Sequence, residues 1–406
     1  MGQRIRSRRL AALLLLGATA GLLGVATGFA RSHGETAIRA PAAVSVAPPV
    51  AADADRALAP LVPAVAAAAS APVQREKAPF VIVAGGDVNL GRECGQAILA
   101  DPHYDPFRFM GPIWGDADVR FVNLESQLSD QDGETQSPRN RLVFTGPPGG
   151  GATLAQAGIA VVSTANNHAW DYGRGALFET LDNLARANVK KAGTGRTLDE
   201  AYEPAVVEAR GRRIAVVAVT QIWNDGPIER HEGRNYVAWA RLRRVAGALE
   251  RARRAADFVI LSYHGGVEYV DAPIDATRRF IDGALKTGLV DVVIGHHPHV
   301  PQGVGFVRGR PVFYSLGNFV FAGHDWAPWT LTGFVARLEL DGDRGLRTSV
   351  CPVALDGHVP KPIAPGDAQS DKARQHLIDT VTSVGGARVG TADARGCFPV
   401  EPPAPR

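Results

Sequence analysis

The chain has 406 residues, of which 45% are hydrophobic and 21% are charged. This is ordinary globular composition with ample apolar material for a core, and it suits one large domain or two modest ones. The 44 basic residues nearly balance the 41 acidic ones and leave a net charge of +3, so no dominant electrostatic field is expected.

The first thirty residues are predicted to be a targeting segment. Arginines from Arg4 to Arg9 precede a run from Leu10 to Ala30 that is rich in Leu, Ala and Gly, which is the pattern of a secretory signal. A run of about twenty apolar residues is also long enough to span a bilayer, so a cleaved signal and a membrane anchor both stay open. The Arg8-Arg9 pair fits twin-arginine export, and a plain Sec signal fits as well. Either way, we expect an exported, periplasmic or otherwise extracytoplasmic protein, anchored by residues 10–30 if the signal is not cleaved.

Residues 31–77 are dominated by Ala, Pro and Val without periodicity, which predicts an extended linker. The ordered domain is expected to cover residues 78–356. The remaining residues, 357–406, are predicted to form an extension with a helix around Asp371 to Val384.

Between Phe80 and Leu340, apolar runs alternate with helix-like segments. The runs are predicted to be buried or half-buried strands: Phe80 to Ala84, Val119 to Leu124, Ile159 to Thr164, Arg213 to Thr220, Phe258 to Tyr263, Val290 to Ile294, Val312 to Ser315 and Phe334 to Leu340. The clearest amphipathic helices are Arg174 to Ala187 and Ala276 to Thr287. This alternation predicts an α/β fold, in which ligands collect beyond the carboxyl ends of the strands.

Polar side chains follow five of these strands. The third strand leads into Asn-Asn-His-x-x-Asp-x-Gly, and the sixth leads into three histidines within four residues. The strand-end candidates are Asp87, Glu125, Asn167, His168, His264, His296, His297 and His299. A single such residue is more often a turn, a cap or a satisfied polar group than a ligand. Because imidazole and carboxylate are common metal ligands, their recurrence at strand after strand favours a metal-dependent hydrolase-type domain.

Arginines between Arg241 and Arg254 alternate with Ala and Leu at helical spacing, which favours a solvated helix face over a nucleic-acid surface. We therefore predict no nucleic-acid partner. Three cysteines are too few and too scattered for a thiolate metal cluster. Cys351 and Cys397 form a disulfide in an exported protein, leaving Cys94 over, or both stay free thiols.

The strand-end motifs resemble those of the capsule-synthesis CapA family, the poly-γ-glutamate biosynthesis branch of the calcineurin-like metallophosphatase superfamily. The resemblance covers about Phe80 to Val353. It rests on Gly86 to Gly91, Asn123-Leu124-Glu125, Asn166-Asn167-His168 with Asp171 and Gly173, His264 to Glu268, Gly295 to Gln302, and Tyr314 to Phe319. It implies a four-layer α-β-β-α sandwich of two mixed sheets with a two-metal centre.

The resemblance also implies a role for each site residue. Asp87 and His299 would bind the first metal ion, and Asn167, His264 and His297 the second, with Glu125 bridging both. His297 is preferred to His296 because it stands two residues from His299. The superfamily's Asp-x-His becomes Asp87-Val88-Asn89, so an amide replaces an imidazole beside the first ion. Two divalent ions are expected, with Mn²⁺, Mg²⁺, Fe²⁺ and Zn²⁺ as candidates.

His168 is the catalytic candidate, since the superfamily keeps there a histidine that meets the substrate. Arg92 is a candidate for binding an anionic substrate, and a helix-surface arginine is the alternative. Glu268 is expected either to orient a ligand histidine or to form a surface salt bridge. Two functions remain open. One is that of an exported metal-dependent hydrolase or transferase acting on a phosphoester, a phosphoanhydride or an amide-linked anionic polymer. The other is metal-dependent binding of a polyanion within a membrane polymer-synthesis complex.

Overall fold

The computed structural model describes residues 78–404, apart from positions 325, 328, 343, 344, 364, 365 and 367. The predicted targeting segment and the linker up to residue 77 lie outside the described residues. Among the helices that are described, none is both long and apolar enough to cross a membrane.

Strands make up most of the regular structure in the described residues. They are β1 (Phe80–Val88), β2 (Val119–Leu124), β3 (Gln127–Leu128), β4 (Thr145–Gly146), β5 (Val161–Ser163), β6 (Lys190–Ala192), β7 (Ala205–Ala209), β8 (Arg212–Thr220), β9 (Phe258–His264), β10 (Val292–His296), β11 (Val304–Val307), β12 (Arg310–Phe313), β13 (Asn318–Val320), β14 (Thr332–Asp341), β15 (Gly345–Asp356), β16 (Val359–Pro362), β17 (Arg388–Val389) and β18 (Phe398–Glu401).

The α-helices of the same region lie mostly between these strands. They are α1 (Arg92–Ala100), α2 (Gly111–Trp114), α3 (Gly150–Gln156), α4 (Gly173–Arg186), α5 (Leu198–Ala201), α6 (Leu242–Ala255), α7 (Asp275–Leu285) and α8 (Ala368–Thr382). Two short 3₁₀ helices cover Ile228–Arg230 and Glu232–Asn235.

Two large sheets form the centre of the fold, and both are mixed. The ten-stranded sheet has the order β17-β18-β15-β14-β1-β2-β5-β6, with β13 beside β1 and β16 beside β15. Strands β1, β2, β5 and β6 are parallel, whereas β14 and β15 are antiparallel. The six-stranded sheet has the order β11-β12-β10-β9-β8-β7, with parallel strands in its middle and antiparallel strands at both edges.

The two sheets pack face to face. Ile82 and Phe121 from the larger sheet share one core with Ile260 and Ile294 from the smaller sheet. Because successive side chains of a strand point to opposite faces, the neighbouring residues of each strand face outward. This inner core is the centre of the domain.

Helices cover the outer face of each sheet. Val83 of β1 packs with Ile98 of α1 and with Leu154 of α3. On the other side, Leu261 of β9 and Val293 of β10 pack with α6 and α7, including the helix residues Val245, Leu249, Phe280 and Ile281. The layers therefore follow the order α-β-β-α, and the predicted four-layer α/β sandwich of two mixed sheets is confirmed.

The segment after residue 356 adds strands to the larger sheet. β16 and β18 both pair with β15, and α8 places Leu377 and Val381 in the inner core. A disulfide joins Cys351 of β15 to Cys397, which directly precedes β18, and Cys94 is buried and unpaired. The disulfide alternative is thus the one that the structure adopts.

Parallel strands bring the candidate ligands to one place. β1, β2 and β5 end at the same edge of the larger sheet, and β9 and β10 end at the facing edge of the smaller one. The backbone is tightly packed just before these ligands. A Cβ atom on Gly86 would lie 2.0 Å from the carbonyl oxygen of Gly317, and one on Gly295 would lie 2.0 Å from the carbonyl oxygen of Tyr314. Only glycine fits at these two positions, which explains why glycine precedes both Asp87 and the histidine run.

Candidate metal centre

Two carboxylates form the floor of the site. Asp87 lies near the end of β1, opposite Asn123 of β2 in the register, and Glu125 follows β2 directly. Both side chains are fully buried. Buried carboxylates are rarely left without a cation or a hydrogen-bond donor, so their surroundings indicate what the site is built to hold.

The carboxylates belong to two groups of metal-ligating side chains. Donor atoms of Asp87, Glu125 and His299 all lie within 4.8 Å of one another, and so do those of Glu125, His264 and His297. Every member is buried, and Glu125 is common to both groups. This is the arrangement that a bridging carboxylate between two cations requires.

His297, and not His296, joins the second group. Both His297 and His299 have positive φ, of 100° and 59°. That conformation is unfavourable for residues other than glycine and persists only where the surroundings impose it. The fully buried His296 ends β10, and its Nδ1 atom lies 3.2 Å from Oδ1 of Asp87.

The ring and carboxylate atoms fit a cation. Oε1 of Glu125 has no hydrogen-bond partner among the described residues. It lies 3.5 Å from Nε2 of His299 and 3.9 Å from Nε2 of His264. Burying a carboxylate oxygen that accepts no hydrogen bond costs free energy. The nitrogen and oxygen atoms around it are ligands that suit a divalent transition metal ion or Mg²⁺. The residues present therefore fit divalent ions of this kind.

Burial and neighbouring charges shift the pKa values of the site. Burial, together with repulsion from Asp87 and Glu268, raises the pKa of Glu125 well above its usual value. Burial also disfavours charge on Asp87, but His296, His299 and the Asn123 amide outweigh it and hold the pKa of Asp87 below its usual value.

The imidazoles of His264, His297 and His299 are held neutral. Burial, and then the neighbouring histidines, lower the pKa of His264 far below the usual value. Burial likewise lowers the pKa of His299, and it lowers the pKa of His297 to about 4. Neutral imidazoles are the form that binds metal ions, so the site is prepared to accept cations near neutral pH.

Carboxamides hold the two carboxylates in place. Asn166 donates from Nδ2 to the backbone oxygen of Leu124 (2.8 Å) and to Oδ1 of Asn123 (3.3 Å). The Asn123 amide then donates to Oδ1 of Asp87 at 2.9 Å and to Oε2 of Glu125 at 3.2 Å. Asn123 and Asn166 lie within recognisable motifs, but nothing in the sequence assigned them this role.

Asn167 lies beside the second group of metal-ligating side chains. Its Oδ1 atom is 2.8 Å from Nε2 of His264. Its Nδ2 atom donates to Oδ1 of Asn224 at 3.1 Å. Because this hydrogen bond holds the amide nitrogen away from His264, the amide oxygen is the atom presented to the site. Asn224 lies between β8 and α6, where sequence patterns gave no signal.

His168 has the surroundings of an oriented acid–base group. Its Nδ1 atom lies 2.8 Å from Oδ2 of Asp171, which also accepts the backbone N–H of Phe144. The imidazole stacks on the Phe144 ring with centroids 4.1 Å apart. Burial raises the pKa of Asp171, and His168 opposes that rise. With Nδ1 directed to Asp171, Nε2 is the nitrogen left to meet a substrate.

Three other predicted residues, Arg92, Asn89 and Glu268, interact with protein groups near the site. Arg92 donates to the backbone oxygens of Ala322 (2.7 Å) and Arg141 (3.3 Å), and its guanidinium lies 4.6 Å from the Phe144 ring centroid. Asn89 accepts the N–H of Gly91 at 2.7 Å. Burial raises the pKa of the Tyr269 hydroxyl, and Glu268 raises it further.

A cluster of aromatic rings that was not predicted from the sequence lies beside the group of Asp87, Glu125 and His299. His324 is buried, stacks on Phe321 with ring centroids 4.5 Å apart, and lies 4.5 Å from the His299 ring. Tyr269 also contacts His299 and His324, and Trp326 contacts Tyr269. The sequence of residues 321–330 contains no apolar run or repeated motif that would have predicted this aromatic cluster.

The metal-free chain is expected to lose stability as the pH falls from about 6.5 towards about 4. The fold keeps His297 neutral down to about pH 4, whereas an unfolded histidine titrates near 6.5. The unfolded state therefore binds more protons in this window, which lowers the free energy of unfolding by about 1.4 kcal/mol per pH unit for each such imidazole. Glu125, whose pKa is raised, acts in the opposite direction, but His264, His299 and His324 act with His297.

Urea unfolding of the chelator-treated full chain at about pH 7.5 and about pH 5 measures this effect. His297→Gln is expected to reduce the difference between the two pH values. Equal or greater stability at the lower pH would contradict the assignment of neutral buried imidazoles.

The fold and the site together define a metallophosphatase-like α/β sandwich with a candidate two-metal centre. The chain belongs to the family described as bacterial capsule synthesis protein PGA_cap, whose sequence profile matches residues 81–323, more than half of the chain.

Curated relatives carry related names. The PGA biosynthesis protein CapA of Bacillus subtilis is 26% identical over 304 residues, which are 72% of this chain and 75% of that protein. The capsule biosynthesis protein CapA of Bacillus anthracis is 26% identical over 319 residues, 77% of this chain and 76% of that protein. A "probable polyglutamine synthesis accessory protein" of Mycobacterium tuberculosis is 29% identical over 230 residues, which are 51% of this chain and 59% of that protein.

Solved structures with a similar chain include a NAD nucleotidase of Haemophilus influenzae. It is 14% identical, with a TM-score of 0.40, and the match covers 78% of this chain and 65% of that one. The sulfate thiohydrolase SoxB of Thermus thermophilus is 14% identical with a TM-score of 0.36, and the match covers 70% and 45%.

Proposed function

We propose that this chain is an exported metal-dependent hydrolase of surface-polymer biosynthesis, acting on an anionic phosphoester or on an amide-linked polymer such as poly-γ-glutamate. The observation that supports catalysis most directly is the pairing of His168 with Asp171 beside two groups of metal ligands. A protein that only holds a polymer needs charge, whereas an imidazole oriented by a carboxylate is an arrangement for moving a proton.

Asp87, Glu125 and His299 would hold one divalent ion, and Glu125, Asn167, His264 and His297 would hold the other. Bound ions of this kind activate water at neutral pH and neutralise charge that develops on a phosphoryl or acyl oxygen. The protein fixes its own ligands through the Asn166–Asn123 amide chain.

His168 would protonate the leaving group. Water would add to the phosphorus or carbonyl carbon and release a proton, and the bond to the leaving oxygen or nitrogen would break. The leaving atom would take the proton from Nε2 of His168, and the proton released by the water would return His168 to its protonated form. The Asp171 carboxylate stabilises the ring in its protonated form and keeps it aligned through Nδ1. Stacking on Phe144 limits rotation of the ring.

Export is part of the same proposal. The predicted targeting segment supports it, and so does the Cys351–Cys397 disulfide, since disulfides persist in oxidising compartments outside the cytoplasm. The names of the relatives support a role in polymer synthesis, in which the chain would work with a membrane synthesis complex.

A non-catalytic role is the second candidate. In it, the metal centre binds polyanion within the assembly or export complex without turnover. The name of the Mycobacterium tuberculosis relative, an accessory protein, favours this role.

Turnover measurements separate the two roles. The full chain with Mn²⁺ is assayed on phosphoester and γ-glutamyl substrates, and His168→Ala is expected to lose at least a hundredfold in rate, because proton transfer typically contributes about 10²–10⁴-fold. The variant should bind as much metal as wild type. His103→Ala, which changes an exposed histidine, serves as the matched control and should retain full activity. Equal and negligible activity in wild type and His168→Ala would leave the binding role.

A further inference from the structure

Asn318 belongs to a sequence motif, Tyr314 to Phe319, to which the hydrolytic centre assigns no function. It is the first residue of β13, is fully buried, and pairs with Asp87 in the parallel register between β13 and β1. The larger sheet therefore holds Asn318 immediately beside a metal-ligating carboxylate.

The orientation of the Asn318 amide is determined by its partners. Nδ2 donates to the backbone oxygen of Thr330 at 3.0 Å, and Nδ2 also lies 3.4 Å from Nδ1 of His324. A carbonyl oxygen can only accept, so the amide nitrogen must face Thr330. Oδ1 is consequently the atom that faces Nδ1 of His299, at 2.9 Å.

An amide oxygen cannot donate, so the hydrogen in this contact comes from the imidazole. Nδ1 of His299 therefore carries the proton. The same nitrogen lies 3.5 Å from Oδ2 of Asp87, a second acceptor. In a neutral ring the other nitrogen, Nε2, then has the lone pair, and it lies 3.5 Å from the unpaired Oε1 atom of Glu125. When Glu125 is ionised, two acceptor atoms face each other there, which is the local arrangement that a cation relieves.

We propose that Asn318 is a positioning residue that holds His299 in the Nδ1–H tautomer and thereby makes Nε2 the atom that binds the first metal ion. Hydrogen bonds of this kind set the tautomer and basicity of a ligand histidine, and their loss typically weakens metal binding about 10–100-fold. The metal-binding part rests on the proposed function, whereas the tautomer belongs to the metal-free chain and is independent of catalysis.

The first measurement is the tautomer itself. In the chelator-treated full chain with ¹⁵N-labelled histidine, NMR should show His299 protonated at Nδ1, with His299→Gln identifying its signals. A wild-type spectrum in which His299 is protonated at Nε2 would overturn the proposal, whether or not the protein shows any hydrolytic activity.

The second measurement compares two variants at one position. Asn318→Leu removes the acceptor, so one Mn²⁺ ion should bind about 10–100-fold more weakly while the ion at the Glu125, His264 and His297 group is retained. Asn318→Asp keeps an oxygen opposite Nδ1 of His299 and should retain the tautomer, while it loses the hydrogen bond to Thr330. Binding of both ions by Asn318→Leu at wild-type affinity, with His299 still protonated at Nδ1, would refute the inference.

If Asn318→Leu does not fold, the wild-type spectrum still tests whether His299 is protonated at Nδ1. Absent turnover with the expected tautomer would refute the hydrolase and leave this role of Asn318 intact.

Discussion

Glu125→Gln is expected to weaken binding of both metal ions by at least about a hundredfold and to abolish any metal-dependent turnover. Glu125 is the one side chain that belongs to both groups of ligands, and its Oε1 atom lies between the imidazoles of His264 and His299. Replacing the carboxylate with an amide removes a negative charge from both sites at once. Calorimetric titration of the full chain with Mn²⁺ measures the loss.

The Gln variant should fold normally. Burial and Asp87 raise the pKa of Glu125, so in the metal-free chain this side chain resists ionisation and a neutral amide of the same shape replaces it at low cost. Asp87→Asn and His264→Ala are matched controls, because each lies in one group and should weaken one ion only. A Glu125→Gln variant that loses a single ion would contradict a shared ligand.

The second large effect concerns the C-terminal strands. Removing the disulfide by Cys351→Ser with Cys397→Ser is expected to lower the free energy of unfolding by about 4 kcal/mol, since the bridge closes a loop of 46 residues. Most of this effect acts on the unfolded chain, which gains conformational freedom once the cross-link is lost. Urea unfolding of the oxidised wild type and of the double variant gives the difference.

Hydrogen exchange gives the local counterpart. β18 pairs with β15 through only Thr348 to Val350, so its amides should lose protection first in the double variant. Cys94→Ala keeps the bridge and serves as the control, with a smaller loss from its buried site. Unchanged stability of the double variant would show that the bridge contributes nothing to the fold.

Much of the strand pattern was predictable because the central strands are buried on both faces and appear as continuous apolar runs. β2 lies at its predicted limits of Val119 to Leu124. β9 is one residue longer than predicted and ends with His264 itself, since this residue pairs with His296 of β10. The sequence therefore predicted that the ligands lie at strand ends. It did not predict whether each ligand is the last residue of its strand or the first residue after it.

Other elements were not visible in the sequence. The predicted strand Val312 to Ser315 is instead Arg310–Phe313. Tyr314 and Ser315 lie outside the strand because they form hydrogen bonds with residues 300–303. β15 and β18 have mixed polar and apolar residues, and their pairing is decided by distant partners rather than by local preference.

The same limit applies to the site. Repetition of acids and histidines after strands predicted Asp87, Glu125, His264, His297 and His299 as neighbours, and the structure places them together. The hydrogen bonds of Asn123, Asn224 and Asn318 depend on amide orientation, which composition and spacing do not encode. In a sequence, each of these residues looks like an ordinary turn or strand-end amide.

The most direct test of the two-ion account is anomalous X-ray scattering from crystals of the protein grown with Mn²⁺. Two peaks about 3.5–4 Å apart are expected on either side of Glu125, one beside Asp87 and His299 and one beside His264 and His297. A single peak, or peaks that do not contact Glu125, would contradict the account.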